Sequence, residues 1–328
     1  MERNFIISLA CLLVFVFAVF LWSSMYLPLD LRTNKIVGFS IEKGEGAKQI
    51  SVKLKEQGII RFSSAFRIYA LFSGSSHILQ AGEYNLSPSL SASEIVIKMA
   101  SGDVVRERIT IPEGWDIKKI GQYFEREEIC TQQEFEELLK EDFSQGISIL
   151  SEKPGSLEGY LFPETYEFAK GVSARIIVKK MLSTLDEEFT LEMREEVKAQ
   201  GHSIDDVIIL ASVIEKEVKS LEDKKIVSGV LQKRMEIDML LQVDATIIYM
   251  TGRSPVLYAD LKIDSPYNTY MYKGLPAGPI SSPGLESIIA AIYPTESNYL
   301  YYISAPDGRT IFSKTLGEHN AAVRKYLR

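Results

Sequence analysis

From Phe5 to Leu27 the chain reads FIISLACLLVFVFAVFLWSSMYL, a run with no charged residue. A helix rises about 1.5 Å per residue, so about 23 such residues cross the roughly 30 Å hydrocarbon core of a bilayer. The run predicts a transmembrane anchor over 5–27, with a cytoplasmic tip at 1–4 and a polar linker at 28–35. Trp22 and Tyr26 sit where interfacial aromatics are expected. A cleaved signal peptide would carry a shorter apolar region, and SSMYLPLD offers no small-x-small cleavage site. In MERN, Arg3 is offset by Glu2, so the positive-inside signal is weak. The simplest topology is a single pass through the cytoplasmic (inner) membrane with the large remainder extracytoplasmic.

That remainder has ample material for a core. The chain has 328 residues, 46% hydrophobic and 25% charged. A net charge of −7 argues against a nucleic-acid partner, which would need a basic face. Cys11 lies inside the apolar run and Cys130 stands alone, so no disulfide framework is expected. His77, His202 and His319 are far apart and no HExxH or CxxC spacing occurs. Neither a metal nor a cofactor is expected.

A segment repeats. FSIEKGEGAKQISVKLKEQGII, from Phe39, aligns without gaps on ITIPEGWDIKKIGQYFEREEIC, from Ile109. Ile41 meets Ile111, Gly44 meets Gly114, Ile50 meets Ile120 and Leu54 meets Phe124. Each copy reads as a short strand, a glycine turn and an amphipathic helix. Gly58 suits the residue after the first helix, where positive φ is cheap only for glycine. Ser91 with Glu94, and Thr131 with Glu134, have capping-box spacing. Residues 36–150 therefore read as small βα units. They resemble the LysM-like carbohydrate-binding fold in outline; a compact spacer that binds nothing is the competing reading.

From Ser151 the texture changes. SLEGYLFPETYEF is aromatic and rich in turn formers. Helices are predicted over 173–189, from Ser203 through LASVIEKEV (210–218), and over 222–235. Ser203 is a plausible N-cap, with Asp205 and Asp206 at the positive end of the helix dipole. LQVDATIIYM gives a turn and a helix that Asp244 could cap. The loop DSPYNTYMYKGLPAGPISSPG is longer than most connections, as functional loops often are. NYLYYIS is a strand candidate, followed by a C-terminal helix.

In LASVIEKEV two carboxyls border apolar surface. Glu215 shares a stripe with Ile208, Ala211, Ser212 and Val218; Glu217 shares one with Leu210, Val213, Ile214 and Leu221. A carboxyl against apolar neighbours has a raised pKa, the state a general acid needs. The alternative is a solvated Glu215–Lys219 pair worth a few tenths of a kcal/mol. Helical spacing does not rank the two glutamates.

LEGYLFPETY, ASVIEKE, LQVDATIIY, SPYNTY, GLPAGPISSPG and GEHN follow one another over about 170 residues. As an ordered set they resemble the endolytic murein transglycosylase (YceG-like) family, with Ala277 where the loop often reads GLPPGPI. The resemblance implies an α+β protein: a transmembrane helix, a LysM-like region over 36–150 and an α+β catalytic domain over 151–328. It implies cleavage of the MurNAc-β-1,4-GlcNAc bond of nascent glycan strands, closing a 1,6-anhydro ring, without a cofactor. It selects Glu215 as the acid/base and Glu217 as a supporting residue. Candidate positioning groups are Ser212, Gln242, Asp244, Asn268, Thr269, Tyr270, Glu164 and Asn320, with Tyr160 and Tyr267 as sugar-stacking aromatics. Ala211 and Ser212 are small enough to leave room for a sugar ring. His319 reads as a surface or capping residue, Trp115 as core, and Glu158 as part of a structural turn. The partners implied are peptidoglycan strands, the cytoplasmic membrane and neighbouring peptidoglycan synthases. Two other readings stay open: a non-catalytic membrane-tethered scaffold, and a hydrolase pairing Glu215 with Asp244 as second carboxylate.

Overall fold

The computed structural model describes residues 2–151 and 155–327. Met1, residues 152–154 and Arg328, which the expected ranges include, lie outside the described residues. The chain divides into two compact units, residues 1–108 with 167–171, and residues 109–166 with 172–328.

The first unit opens with α1 (Glu2–Tyr26), whose stretch Ile6–Tyr26 is long and apolar enough to cross a membrane. Then come β1 (Val37–Ile41), α2 (Ala47–Glu56), α3 (Ser63–Phe72), β2 (Gly82–Leu86) and α4 (Ala92–Ser101). β1 and β2 pair antiparallel with Phe39 opposite Tyr84. Side chains alternate across a strand, so Phe39, Ile41, Tyr84 and Leu86 all turn to one core with Ile50, Leu54, Phe66 and Ile95. The Tyr84 hydroxyl is satisfied there by the Gln80 carbonyl at 2.6 Å. α2 ends because Gly58 takes φ +68°. At α4, Ser91 Oγ accepts from the Glu94 N–H and the Glu94 carboxylate accepts from the Ser91 N–H. The pattern reading did not include α3.

The chain leaves this unit in β3 (Arg106–Thr110) and revisits it in β4 (Thr165–Ala169), its neighbour in a two-stranded sheet. The second copy of the repeat folds as read, β3, a turn at Gly114 with φ +73°, then α5 (Ile117–Arg126). From Ile109 onward, however, it belongs to the larger unit, so the division between units does not fall at 150/151. Locally, Phe124 of α5 packs edge-on against Phe135 of α6 (Gln132–Leu138), with centroids 5.0 Å apart; what ties the segment to the larger unit is long-range. The Gly114–Trp115 turn exchanges backbone hydrogen bonds with Ser282.

The larger unit is mostly helical: α7 (Ala174–Glu188), α8 (Leu191–Ala199), α9 (Ile204–Glu217), α10 (Leu221–Glu236), α11 (Asp244–Thr251) and α12 (Leu285–Ile292). The hairpin β5 (Tyr301–Ser304) and β6 (Thr310–Ser313) and the helix α13 (Leu316–Tyr326) close it. α9 is the central element. Every residue from Val207 to Ile214 is buried, so it is a core helix rather than an amphipathic one. Ser203 caps it, in a capping box with Asp206, worth about 1 kcal/mol. It stops after Glu217 because Val218 turns extended and Ser220 caps α10. β4, α8, α12 and β6 were not anticipated.

Candidate active site

Residues two apart on a helix differ by about 200° in direction, so the end of α9 sends its two glutamates to opposite sides. Glu215 turns toward α10 and α12. One carboxylate oxygen accepts from Lys224 Nζ at 3.2 Å, the Gly284 N–H at 3.1 Å and Ser287 Oγ at 2.6 Å. Gly284 and Ser287 flank the first turn of α12, where free N–H groups and the helix dipole favour an anion. The Glu215 and Lys224 side chains are 9% and 3% exposed, so the pair is closed from solvent. Burial, then the Glu215 charge, raises the pKa of neighbouring Glu113. The expected pair with Lys219 does not form, because α9 ends before that residue.

Glu217 turns toward the segment after α10 and toward β5. Its carboxylate lines a cleft of about 340 Å³ that also takes in Arg234, Gln242, Asp244, Tyr270, Tyr302 and His319. Among the described residues its only hydrogen-bond donor is Tyr302, whose hydroxyl lies 2.9 Å away. Burial pushes its pKa up to about 7, with the Asp244 charge adding to the rise; the Tyr302 bond and the Arg234 charge oppose it. Tyr302 is itself raised well above the usual phenol range by burial and by Glu217.

The cleft wall is built by backbone constraint. Gln242 holds φ +51°, a left-handed conformation costly for a residue with a Cβ. Thr269 imposes it: its carbonyl accepts from the Gln242 N–H and its hydroxyl from the Val243 N–H, both at 3.0 Å. Thr246 and Thr269 hydroxyls meet at 3.0 Å behind them. Arg234 braces the same segment from inside, donating to the carbonyls of Leu241 at 2.6 Å and Leu300 at 2.7 Å. Asp244 is the first helical residue of α11 rather than its cap, and its carboxylate accepts from the Tyr270 hydroxyl at 2.5 Å.

The structure thus gathers Glu217, Gln242, Asp244 and Tyr270 of the anticipated residues at one cleft, with Thr269 behind it. Asn268 supports from below: its amide donates to Leu261 and Ile263 carbonyls and its oxygen accepts from the Tyr270 N–H. Ser212 departs from the reading. It leaves no room for a sugar, because its hydroxyl accepts from the Ile280 N–H at 3.0 Å and the 280–281 segment packs on it. Glu164 and Asn320 are exposed and do not line the cleft. Tyr160 is core, donating to Asp205 at 2.7 Å. Tyr267 packs on Tyr249 at a second cavity of about 780 Å³. Glu158 lies there too, raised to about 7 by burial, but its oxygens already serve the Ile117 N–H and the Tyr249 hydroxyl. Arg234, Tyr301, Tyr302 and His319 were not selected from sequence; the aromatic run in NYLYYIS followed by GEHN was the available signal.

Chemically, the cleft offers one carboxyl poised near neutrality, a second carboxylate and several hydroxyl and amide groups, which is the equipment of glycosidic bond cleavage. The comparisons agree with that class. Residues 39–325 match the YceG-like family, and the chain belongs to it. It is 32% identical over 320 residues, 93% of this chain and 88% of the relative, to a Bacillus subtilis protein named endolytic murein transglycosylase. A Streptococcus pneumoniae protein of the same name is 28% identical, covering 92% of this chain and 60% of its own length. A crystal structure of a YceG-like protein from Listeria monocytogenes superposes with a TM-score of 0.60 at 33% identity, over 88% of this chain and 99% of that one.

Proposed function

We propose that the chain is a membrane-anchored endolytic lytic transglycosylase of peptidoglycan, and that Glu217, not Glu215, is its acid/base. One observation carries the assignment. The Glu217 carboxyl faces an open cleft with a pKa of about 7, whereas the Glu215 carboxylate is enclosed by an ammonium and two further donors. A general acid must be protonated near working pH and reachable by substrate. Family membership and the names of the relatives support the substrate class.

The mechanism follows. Protonated Glu217 gives its proton to the glycosidic oxygen between MurNAc and GlcNAc as the C1–O bond breaks and an oxocarbenium-like state forms. The MurNAc C6 hydroxyl attacks C1, and the Glu217 carboxylate takes its proton. The products are a 1,6-anhydroMurNAc end and a GlcNAc end, and the carboxyl returns protonated. No water is consumed. Asp244, held by Tyr270, lies on the same cleft and its negative charge suits the cationic transition state. α1 would anchor the chain in the cytoplasmic membrane with the rest extracytoplasmic, keeping cleavage near nascent strands and trimming or terminating them. The βααβ order of β1, α2, α3 and β2, with β1 antiparallel to β2, supports the LysM-like reading of the first unit.

A second reading has one observation in its favour: Asp244 shares the cleft with Glu217, so a hydrolase with Asp244 directing water is the runner-up. Mass spectrometry of glycan fragments separates the two. Ends lighter by one water mark the transglycosylase, reducing ends mark the hydrolase, and intact strands reject both.

A further inference from the structure

The apolar helix α1 does not end in a free tether; its last turns belong to the packing of the first unit. Phe20 meets Phe62, the residue that opens α3, edge-on with ring centroids 5.5 Å apart. Tyr26 meets Tyr69 of α3 in the same way at 5.8 Å. Met25 packs on the core of the unit. Just past the helix, the Asp30 N–H donates to the Pro88 carbonyl at 3.0 Å. α3 therefore runs alongside the end of α1 in the same direction, with Phe62 level with Phe20 and Tyr69 level with Tyr26.

Helix length fixes the depth of this contact. From Phe5 to Phe20 there are sixteen residues, about 24 Å of helix, too short for the roughly 30 Å hydrocarbon core. An anchor that crosses the bilayer must take Phe20 below the lipid surface, and Phe62 goes with it. A groove of about 170 Å³ opens there, lined by Phe20, Ser23 and Leu27 on one side and by Ile60, Arg61 and Phe62 on the other. Leu27, Arg61 and Phe62 are exposed. An exposed aromatic beside an arginine at this depth suits a bilayer interface. The ring takes the acyl boundary, and the long side chain snorkels back to the phosphates.

We propose that the first unit makes a second, shallow contact with the membrane, in which Phe62 enters the acyl boundary beside the anchor and Arg61 binds lipid phosphates. The occupant of the groove is the bilayer, because the groove is continuous with the helix that crosses it. The inference rests on the membrane-anchored reading above. It makes the anchor a rigid mount, with the first unit held against the lipid rather than at the end of a linker.

The test uses the full chain in phosphatidylglycerol vesicles, carrying one nitroxide label. Its collision rates with oxygen and with a water-soluble nickel chelate give its depth. The parent carries Cys11→Ser and Cys130→Ser, so the labelled position is the only thiol. A label at Phe62→Cys should lie about 5–10 Å below the lipid phosphates. One at Lys48→Cys, near the opposite end of α2, should lie in water. Arg61→Glu should move the Phe62 label outward by several ångströms and leave the melting temperature unchanged. A Phe62 label as open to the chelate as the Lys48 label would overturn the proposal, as would a depth indifferent to Arg61→Glu. If Phe62→Cys fails to fold, a label on exposed Ser64, in the first turn of α3, keeps Phe62 and should still favour oxygen over the chelate. A label on native Cys11, in Cys130→Ser alone, that reads as water-exposed overturns the anchored reading itself, an outcome distinct from the others.

Discussion

The Tyr302 hydroxyl donates to the Glu217 carboxylate across 2.9 Å, from a β-strand to the last turn of the central helix. The bond favours the ionised carboxylate and so opposes the burial that raises its pKa. Removing it has a predictable sign. Tyr302→Phe should move the alkaline limb of the kcat/KM profile to higher pH, by about half a unit to one unit for a hydrogen bond of about 1 kcal/mol. Steady-state rates between pH 5 and 9 read it, and an unmoved limb would contradict the assignment.

Glu217 and Glu158 are both raised to about 7, above their unfolded values near 4.5. Between those pH values the folded state binds more protons than the unfolded state. Stability is therefore highest below about pH 4.5 on this account and falls as pH rises through 7. Thermal melts of wild type from pH 5 to 7.5 should show that decline, shallower in Glu217→Gln and shallowest with Glu158→Gln added. Equal slopes in all three would show that neither carboxyl carries the burden.

Lys224 and Glu215 form a pair that is enclosed on both sides. Lys224→Met leaves a buried carboxylate with its charge uncompensated and should cost about 3–5 kcal/mol in denaturant unfolding. Adding Glu215→Gln should restore part of that loss. A Lys224→Met cost below about 1 kcal/mol would mean that the pair is open to water.

Gln242 adopts φ +51°, where only glycine is at ease. Gln242→Gly should leave stability unchanged or raise it by up to about 1 kcal/mol. The same variant should lower kcat/KM, because the side chain that lines the cleft is gone. Loss of stability with full activity would mark Gln242 as structural.

How much of this could be read in advance depends on range. Local signals held: the capping boxes at Ser91 and Thr131, the Ser203 cap and the glycine turns at 44 and 114. The ranking of Glu215 against Glu217 did not come from local pattern. It turns on which face of α9 meets α12 and which meets β5, elements about 70 and 85 residues further on. Ser212 misled for the same reason: its small size serves Ile280, a partner in a distant loop. His319 reads locally as a surface or capping residue, and its place at the Glu217 cleft shows only once β5 brings Tyr301 against its ring.

The central claim is tested most directly by single-turnover cleavage of uncrosslinked glycan by folded Glu217→Gln and Glu215→Gln proteins, compared per folded molecule. Glu217→Gln should fall by roughly a hundred- to ten-thousandfold with its melting temperature intact, the scale of a lost general acid. Glu215→Gln should lose stability but keep its rate within about tenfold, as expected of a positioning ion pair. A folded Glu217→Gln that still cuts, beside a folded Glu215→Gln that does not, would return the acid/base role to Glu215.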